Sequence, residues 1–315
     1  TSTGIGMGGP GTWMGGDESL ARLPLWSYDP STLVRDPSAF VGLTNQGGTC
    51  YMNALLQCLF HQPAFTRGLL KIRSEGTPAP TSTTTPASAD DKAVLFQLQV
   101  IFGFMTLSQK RFCDTLPFCR IFKDYDGEPV SLSEQKDINE FAGMLFDKLE
   151  SNKEAAALLR NNFQGTLVWK TKSLEDSYRS EREESFYMLT AEVKDKACLQ
   201  DSLELFVAEE LFSGDNKIQT DAGNKVDALR HCALRALPPV LIVHLKRFEF
   251  DLGTLTRKKV NDFIAFPYAQ RLDMFPYTEE GLAAKQAKQR VDEEGEVSEA
   301  GAEVEAGADV DAVGA

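Results

Sequence analysis

Gly42-Leu43-Thr44-Asn45-Gln46-Gly47-Gly48-Thr49-Cys50-Tyr51-Met52-Asn53 sets one cysteine directly after a glycine-rich turn and directly before an apolar run, Tyr51 to Phe60, that holds neither Gly nor Pro. Such a run reads as a buried helix with the cysteine at its start. A helix N-terminus offers the positive end of the backbone dipole and unpaired N–H groups, and both favour thiolate over thiol. Glycines just before it let backbone amides come close to a reacting carbonyl. Cys50 is therefore the candidate nucleophile, and Asn45 with the backbone N–H groups of Thr49 and Cys50 are candidate donors to an oxyanion. The blander alternatives are that Asn45 only makes a turn and that a cysteine in an apolar helix is a small hydrophobe, which is the expectation for Cys58.

The segment from Gly42 to Asn53 resembles the cysteine box of the ubiquitin-specific proteases, a family of papain-like thiol isopeptidases. Three further segments resemble the same family. They are Gln135-Lys136-Asp137-Ile138-Asn139-Glu140-Phe141, the strand Leu237-Pro238-Pro239-Val240-Leu241-Ile242-Val243-His244-Leu245-Lys246-Arg247-Phe248, and Lys259-Val260-Asn261-Asp262 with Phe266-Pro267 and Leu272-Asp273-Met274. The last is in the style of the large multidomain members. The resemblance implies ubiquitin as partner, no cofactor, and a grip on an arginine of the ubiquitin tail by Asp137 and Glu140, with Gln135 adding an amide contact. Carboxylates suit that task because they form charge-assisted pairs with guanidinium. Three residues apart on a helix, the two acids would share one face; a merely solvated acidic face is the alternative.

A general base is harder to find. The chain has three histidines. His61 would lie about 16 Å along the same helix from Cys50, at 1.5 Å per residue. His231 is remote from every motif, and His244 falls at a packing position of its strand. The family's histidine box, G-x-x-x-x-G-H-Y, does not occur, so the chain is expected to be an incomplete catalytic domain, inactive by itself. A non-catalytic ubiquitin-binding or scaffold module of the same fold is the main rival, and a papain-like protease acting on other peptides a weaker one. Many family members hold zinc with two C-x-x-C pairs. The corresponding places here are Gln219 with Ala222 and the stretch Trp169 to Leu174, without cysteine, so no metal is expected. Ser173 to Glu184, highly charged, is expected to be mobile.

The 315 residues carry a net charge of −13, and the stretch from Pro276 to Ala315 holds eleven acids against three bases. An acidic chain argues against nucleic acid and suits a basic protein ligand. Six cysteines without a C-x-x-C pair read as free thiols in a reducing compartment, cytoplasm or nucleus. No apolar run reaches the ~20 residues of a membrane span. The first residue is Thr1 and no signal peptide precedes the motifs, so the chain is expected to begin inside a longer protein.

Residues 1–39 read as a flexible leader, 40–275 as the catalytic domain, 76–91 as a low-complexity insertion and 276–315 as a disordered acidic segment. Helical spacing spans Lys92 to Phe112 and Glu134 to Leu149, with a short helix over Asp201 to Phe212. Strands are expected over Thr166 to Lys170, Phe186 to Val193, Lys225 to Leu234 and Val240 to Phe250. A helical part, 40–160, followed by a mostly antiparallel β part, 163–275, is an α+β fold. The resemblance implies the papain-like thumb, palm and fingers.

Overall fold

A computed structural model of the chain describes residues 33–73, 86–251, 253, 256–268 and 271–289. The helical half comes first. Strand β1 (Gly42–Leu43) leads into α1 (Cys50–Phe60) and α2 (Pro63–Lys71), followed by α3 (Pro86–Leu107), β2 (Phe112–Cys113), α4 (Leu116–Ile121), α5 (Ile138–Glu150) and α6 (Lys153–Phe163). The helix starts carry the signals expected of them. The Asp137 carboxylate caps α5 by accepting from the Asn139 amide at 2.6 Å, and the Asn152 side chain caps α6 by accepting from Glu154 and Ala155, both at 3.0 Å. Large aromatic side chains fill the space between the helices. Phe65, Phe102, Phe141 and Phe163 are each 0 % exposed, and the apolar stripe of α3 (Leu95, Leu98, Phe102, Met105) lies in the same core.

The β-rich half runs β3 (Gly165–Ser173), β4 (Arg179–Phe186), β5 (Met188–Glu192), α7 (Leu199–Val207), β6 (Glu210–Phe212), β7 (Ile218–Gln219), β8 (Lys225–Val226), β9 (Ala228–Ala236), β10 (Ile242–Lys246), β11 (Phe248–Asp251) and β12 (Thr256–Lys259). A four-stranded antiparallel sheet has the order β4-β3-β9-β6. It shares a second core with α7 and Tyr277. The chain is thus α+β, in the order that the papain-like resemblance implies. Antiparallel pairing dominates among the described strands, while β1 pairs with β2, and β5 with β10, in parallel.

Several sequence expectations need correction. Ser173 to Glu184 is not wholly a loose loop, because β4 occupies its second half, in an eight-rung ladder with β3. Backbone pairing needs no apolar side chain, and the charges have partners. Arg235 pairs with Glu181 and Glu183, and the Trp169 indole donates to Glu184 at 2.9 Å. Lys217 bridges Glu175 at 2.5 Å and Asp227 at 3.2 Å, tying the turn after β3 to the segment between β8 and β9. The helix expected over Asp201 to Phe212 starts earlier and stops at Val207, and its last residues form β6.

Segment ends differ as well. Of the proposed leader, residues 33–36 run beside the end of α3: Arg35 donates to the Gln109 carbonyl and Arg111 to that of Leu33. Of the proposed insertion, 76–85 lie outside the described residues, whereas 86–91 open α3. The acidic segment is ordered at its start. Residues 279–289 are helical (α8), Tyr277 is 5 % exposed and Leu282 packs beside it. Glu279 anchors this helix on Lys170 at 2.5 Å and on Arg235 at 2.9 Å, and those cations hold its carboxyl down at about 2. An acid therefore docks this segment on two cations of the sheet, one of them shared with Glu181 and Glu183. Residues 290–315 lie outside the described residues.

Candidate active site

The site is built from the turn that precedes α1. Gly47 has φ +119°, a conformation that suits only glycine. The two glycines also lie against the chain just ahead of α5. A β-carbon on Gly47 would stand 2.4 Å from the Leu132 carbonyl oxygen, and one on Gly48 would stand 2.7 Å from that of Glu134. The Gly48 amide donates to the Leu132 carbonyl at 2.6 Å. This close backbone approach joins the cysteine turn to the acidic motif, although the two are far apart in sequence. Gly47→Ala should therefore combine backbone strain with a clash against main chain. The expected cost is about 1–3 kcal/mol, as for overpacked sites, read as a lower midpoint in urea unfolding with an unchanged slope.

Cys50 is the first residue of α1 and is exposed. Asn45, also exposed, lies in the loop above it. Its Oδ1 accepts from the Thr49 hydroxyl at 2.9 Å, and that hydroxyl accepts from the Gln46 amide at 2.9 Å. The loop is anchored on both flanks. Gln46 Nε2 donates to Asp114 at 2.6 Å, Thr115 donates to the Thr44 carbonyl at 2.9 Å, and Asn53 Nδ2 donates to the same carbonyl at 3.2 Å. The Cys50, Tyr51 and Met52 amides make no hydrogen bond to the turn or to a capping side chain among the described residues. A sulfur beside several unspent donors can attack a carbonyl and see the resulting oxyanion stabilised.

Cys58 is exposed, not buried as its apolar neighbours suggest. The polar residues of α1 turn inward to the backbone flanking β1: Gln57 donates to the Val41 carbonyl at 2.9 Å and Asn53 to that of Thr44. The outward stripe is left to Cys50, Ala54 and Cys58, spaced four apart. Tyr51, on the inner side, packs edge-on against Phe141 at 5.5 Å. Burial first, then the nearby Cys119, Cys50 and Glu140, pushes its phenol up to about 12.

The acidic motif differs in detail from its expected form. Gln135 and Glu140 are exposed, and Glu140 has no hydrogen-bond or ion-pair partner among the described residues. Asp137 is not on a helix face with Glu140. It is the cap before α5, with one oxygen on the Asn139 amide and the same oxygen 3.7 Å from His244 Nε2. The cap geometry aims part of this carboxylate at β10 and leaves it 27 % exposed. Burial lowers the His244 pKa, and Asp137 pulls the other way. None of the three histidines hydrogen-bonds to Cys50. His61 ends α1 and stacks edge-on with Phe40 and Phe60, and His231 lies 3.8 Å from Glu209.

The side chains of Thr49, Asn53, Thr115 and Asp114 support the site without being marked by the motifs. The available signals were a threonine at a helix start and a lone Asn inside an apolar run. No group of three or more potential metal ligands occurs among the described residues, and Gln219 and Ala222 offer no thiolate for zinc.

An exposed thiol at the head of a helix packed on the first core, followed by a β-rich half, is the layout of the papain-like fold. The family model described as ubiquitin carboxyl-terminal hydrolase matches residues 41–291, and the chain belongs to that family. It is 33 % identical over 295 residues to ubiquitin carboxyl-terminal hydrolase 9X of Mus musculus, covering 82 % of this chain and 11 % of that protein. Against ubiquitin carboxyl-terminal hydrolase 24 of Homo sapiens the identity is 32 % over 274 residues, covering 86 % and 10 %. Against number 34 of Homo sapiens it is 31 % over 267 residues, covering 84 % and 7 %. The chain thus spans between 7 % and 11 % of the length of these relatives.

Proposed function

We propose that this chain carries the nucleophile and the ubiquitin-tail contacts of a cysteine-type deubiquitinase, which hydrolyses peptide and isopeptide bonds after the terminal glycine of ubiquitin. The observation that carries the reading is the exposed Cys50 at the head of α1, beside unspent amides and the tethered Asn45 carboxamide. The Cys50 sulfur attacks the glycine carbonyl carbon. Negative charge collects on the carbonyl oxygen, where the Asn45 Nδ2 and the α1 amides receive it. Collapse expels the amine, which takes a proton, and leaves a thioester that water hydrolyses to free the carboxylate and regenerate the thiol. None of the three histidines hydrogen-bonds to Cys50 among the described residues, so turnover is expected to be slow wherever no base reaches the sulfur.

Family membership supports ubiquitin and its conjugates as partners. The exposed Glu140 and the half-buried Asp137 support an arginine-bearing tail lying along the start of α5, with Gln135, Asp137 and Glu140 as contacts. Replacing Asp137 and Glu140 together by Lys should raise the dissociation constant for free ubiquitin at least about tenfold, since like charge meets the tail arginine. Calorimetry checks it, and unchanged affinity would remove the acidic grip. All six cysteines are free, which supports a reducing location, cytoplasm or nucleus. No helix among the described residues is long and apolar enough to cross a membrane.

A second reading, a ubiquitin-binding module without catalysis, draws on the lack of a histidine bonded to Cys50. A ubiquitin vinyl-sulfone probe applied to the full-length protein separates the two. Labelling that Cys50→Ala removes supports the hydrolase, whereas binding without labelling supports the module.

A further inference from the structure

Thr49 occupies the cap position of α1, where a threonine hydroxyl ordinarily accepts from an amide two or three residues on. Here it makes no such bond. The hydroxyl is turned back into the loop, accepting from the Gln46 amide at 2.9 Å and donating its single proton to Asn45 Oδ1 at 2.9 Å. The residue is 0 % exposed, so water cannot substitute for either partner. Two consequences follow from one rotamer. With its oxygen tethered to Thr49, the Asn45 carboxamide has its Nδ2 donor left for a ligand. With the cap side chain withdrawn, the first α1 amides keep their hydrogens unspent.

We propose that Thr49 is the positioning residue of the oxyanion site. It orients the Asn45 carboxamide donor and, by declining to cap α1, leaves the neighbouring amides available to the same oxygen. The proposal rests on the reading of Cys50 as nucleophile. It distinguishes a hydroxyl with a directional task from a small buried side chain that merely fills space, because valine has the same shape and lacks only the donor and acceptor.

The test uses the full-length protein and ubiquitin carrying a fluorogenic amide at its C-terminus. Thr49→Val should lower kcat about 10- to 100-fold with KM changed less than about twofold, since one oxyanion donor is worth roughly 10²–10³ when removed outright. Thr49→Ser, which restores the hydroxyl, should return kcat to within about threefold of wild type. In an Asn45→Ala background, Thr49→Val should cost less than about threefold more, because its main client is already gone. Rates are taken per ubiquitin-binding site titrated by calorimetry, so partial unfolding does not register as lost turnover. Thr49→Ala, which cannot overpack, is measured alongside and should follow Val. Val and Ala variants with wild-type kcat, a Ser variant as slow as Val, or penalties of Thr49→Val and Asn45→Ala that multiply in full would each overturn the positioning role. Wild-type turnover that survives Cys50→Ala would overturn the underlying nucleophile and take the proposal with it.

Discussion

Cys50→Ala in the full-length protein is expected to lower ubiquitin hydrolysis by up to about 10⁶-fold, the scale on which losing a nucleophile acts when it works as a unit with its base. Every other group at the site contributes only by serving that sulfur. On the proposed reading, the tethered Asn45 and the α1 amides would stabilise charge that never forms without an attacking atom. The turn glycines, by lying against the Leu132–Glu134 backbone, only fix where the sulfur stands. Affinity for free ubiquitin should survive the substitution, because the side chain removed is small and exposed. Steady-state hydrolysis and calorimetry on the same preparation check both halves. Cys58 supplies an internal control, being exposed on the same face of α1 but without the loop donors. Cys58→Ala should leave the rate within about twofold.

Phe141→Ala should produce the largest loss of stability among single substitutions considered, about 3–5 kcal/mol. Phe141 is 0 % exposed on α5 and touches both sides of the helical core, with Tyr51 at 5.5 Å and Phe122 at 5.0 Å between ring centroids. Truncation deletes most of an aromatic side chain and leaves a cavity that three helices cannot close by small shifts. At about 2–4 °C per kcal/mol for a domain of this size, the melting temperature should fall by roughly 6–20 °C. Because Tyr51 directly follows Cys50, the same cavity loosens the head of α1, so hydrolysis should fall at temperatures where the variant is still folded. Calorimetric melting beside rate measurements at low temperature checks this.

The residues that could be read in advance were those whose signal is local. Gly47, Gly48 and the apolar run after Cys50 mark a turn feeding a helix, and the spacing of Phe141, Ala142, Leu145 and Leu149 marks the buried side of α5. What escaped reading depends on partners remote in the chain. Ser173 to Glu184 reads as a mobile charged segment, yet Trp169 on β3 and Arg235 on β9 give the acids of β4 their partners. Glu279 looked like part of an acidic tail until Lys170 and Arg235 placed it on the sheet. Cys58 faces outward because Asn53 and Gln57 spend their amides inward on the backbone flanking β1, which rotates α1 away from the orientation that its polarity suggests. At the site, Asp137 was legible as an acid in the right motif but not as a helix cap whose carboxylate also faces His244, since that contact joins α5 to a strand far along the chain. The Thr49 tether could not be read at all, because an N-cap threonine ordinarily serves its own helix.

The most direct test asks which sulfur reacts. The full-length protein is incubated with a ubiquitin vinyl-sulfone probe, digested, and the adduct mapped by mass spectrometry across Cys50 and Cys58, the two exposed thiols of α1. The expected result is a single adduct on Cys50, lost in Cys50→Ala and untouched by Cys58→Ala. An adduct on Cys58, or ubiquitin bound with Cys50 left unmodified, would contradict the assignment of Cys50 as the attacking group.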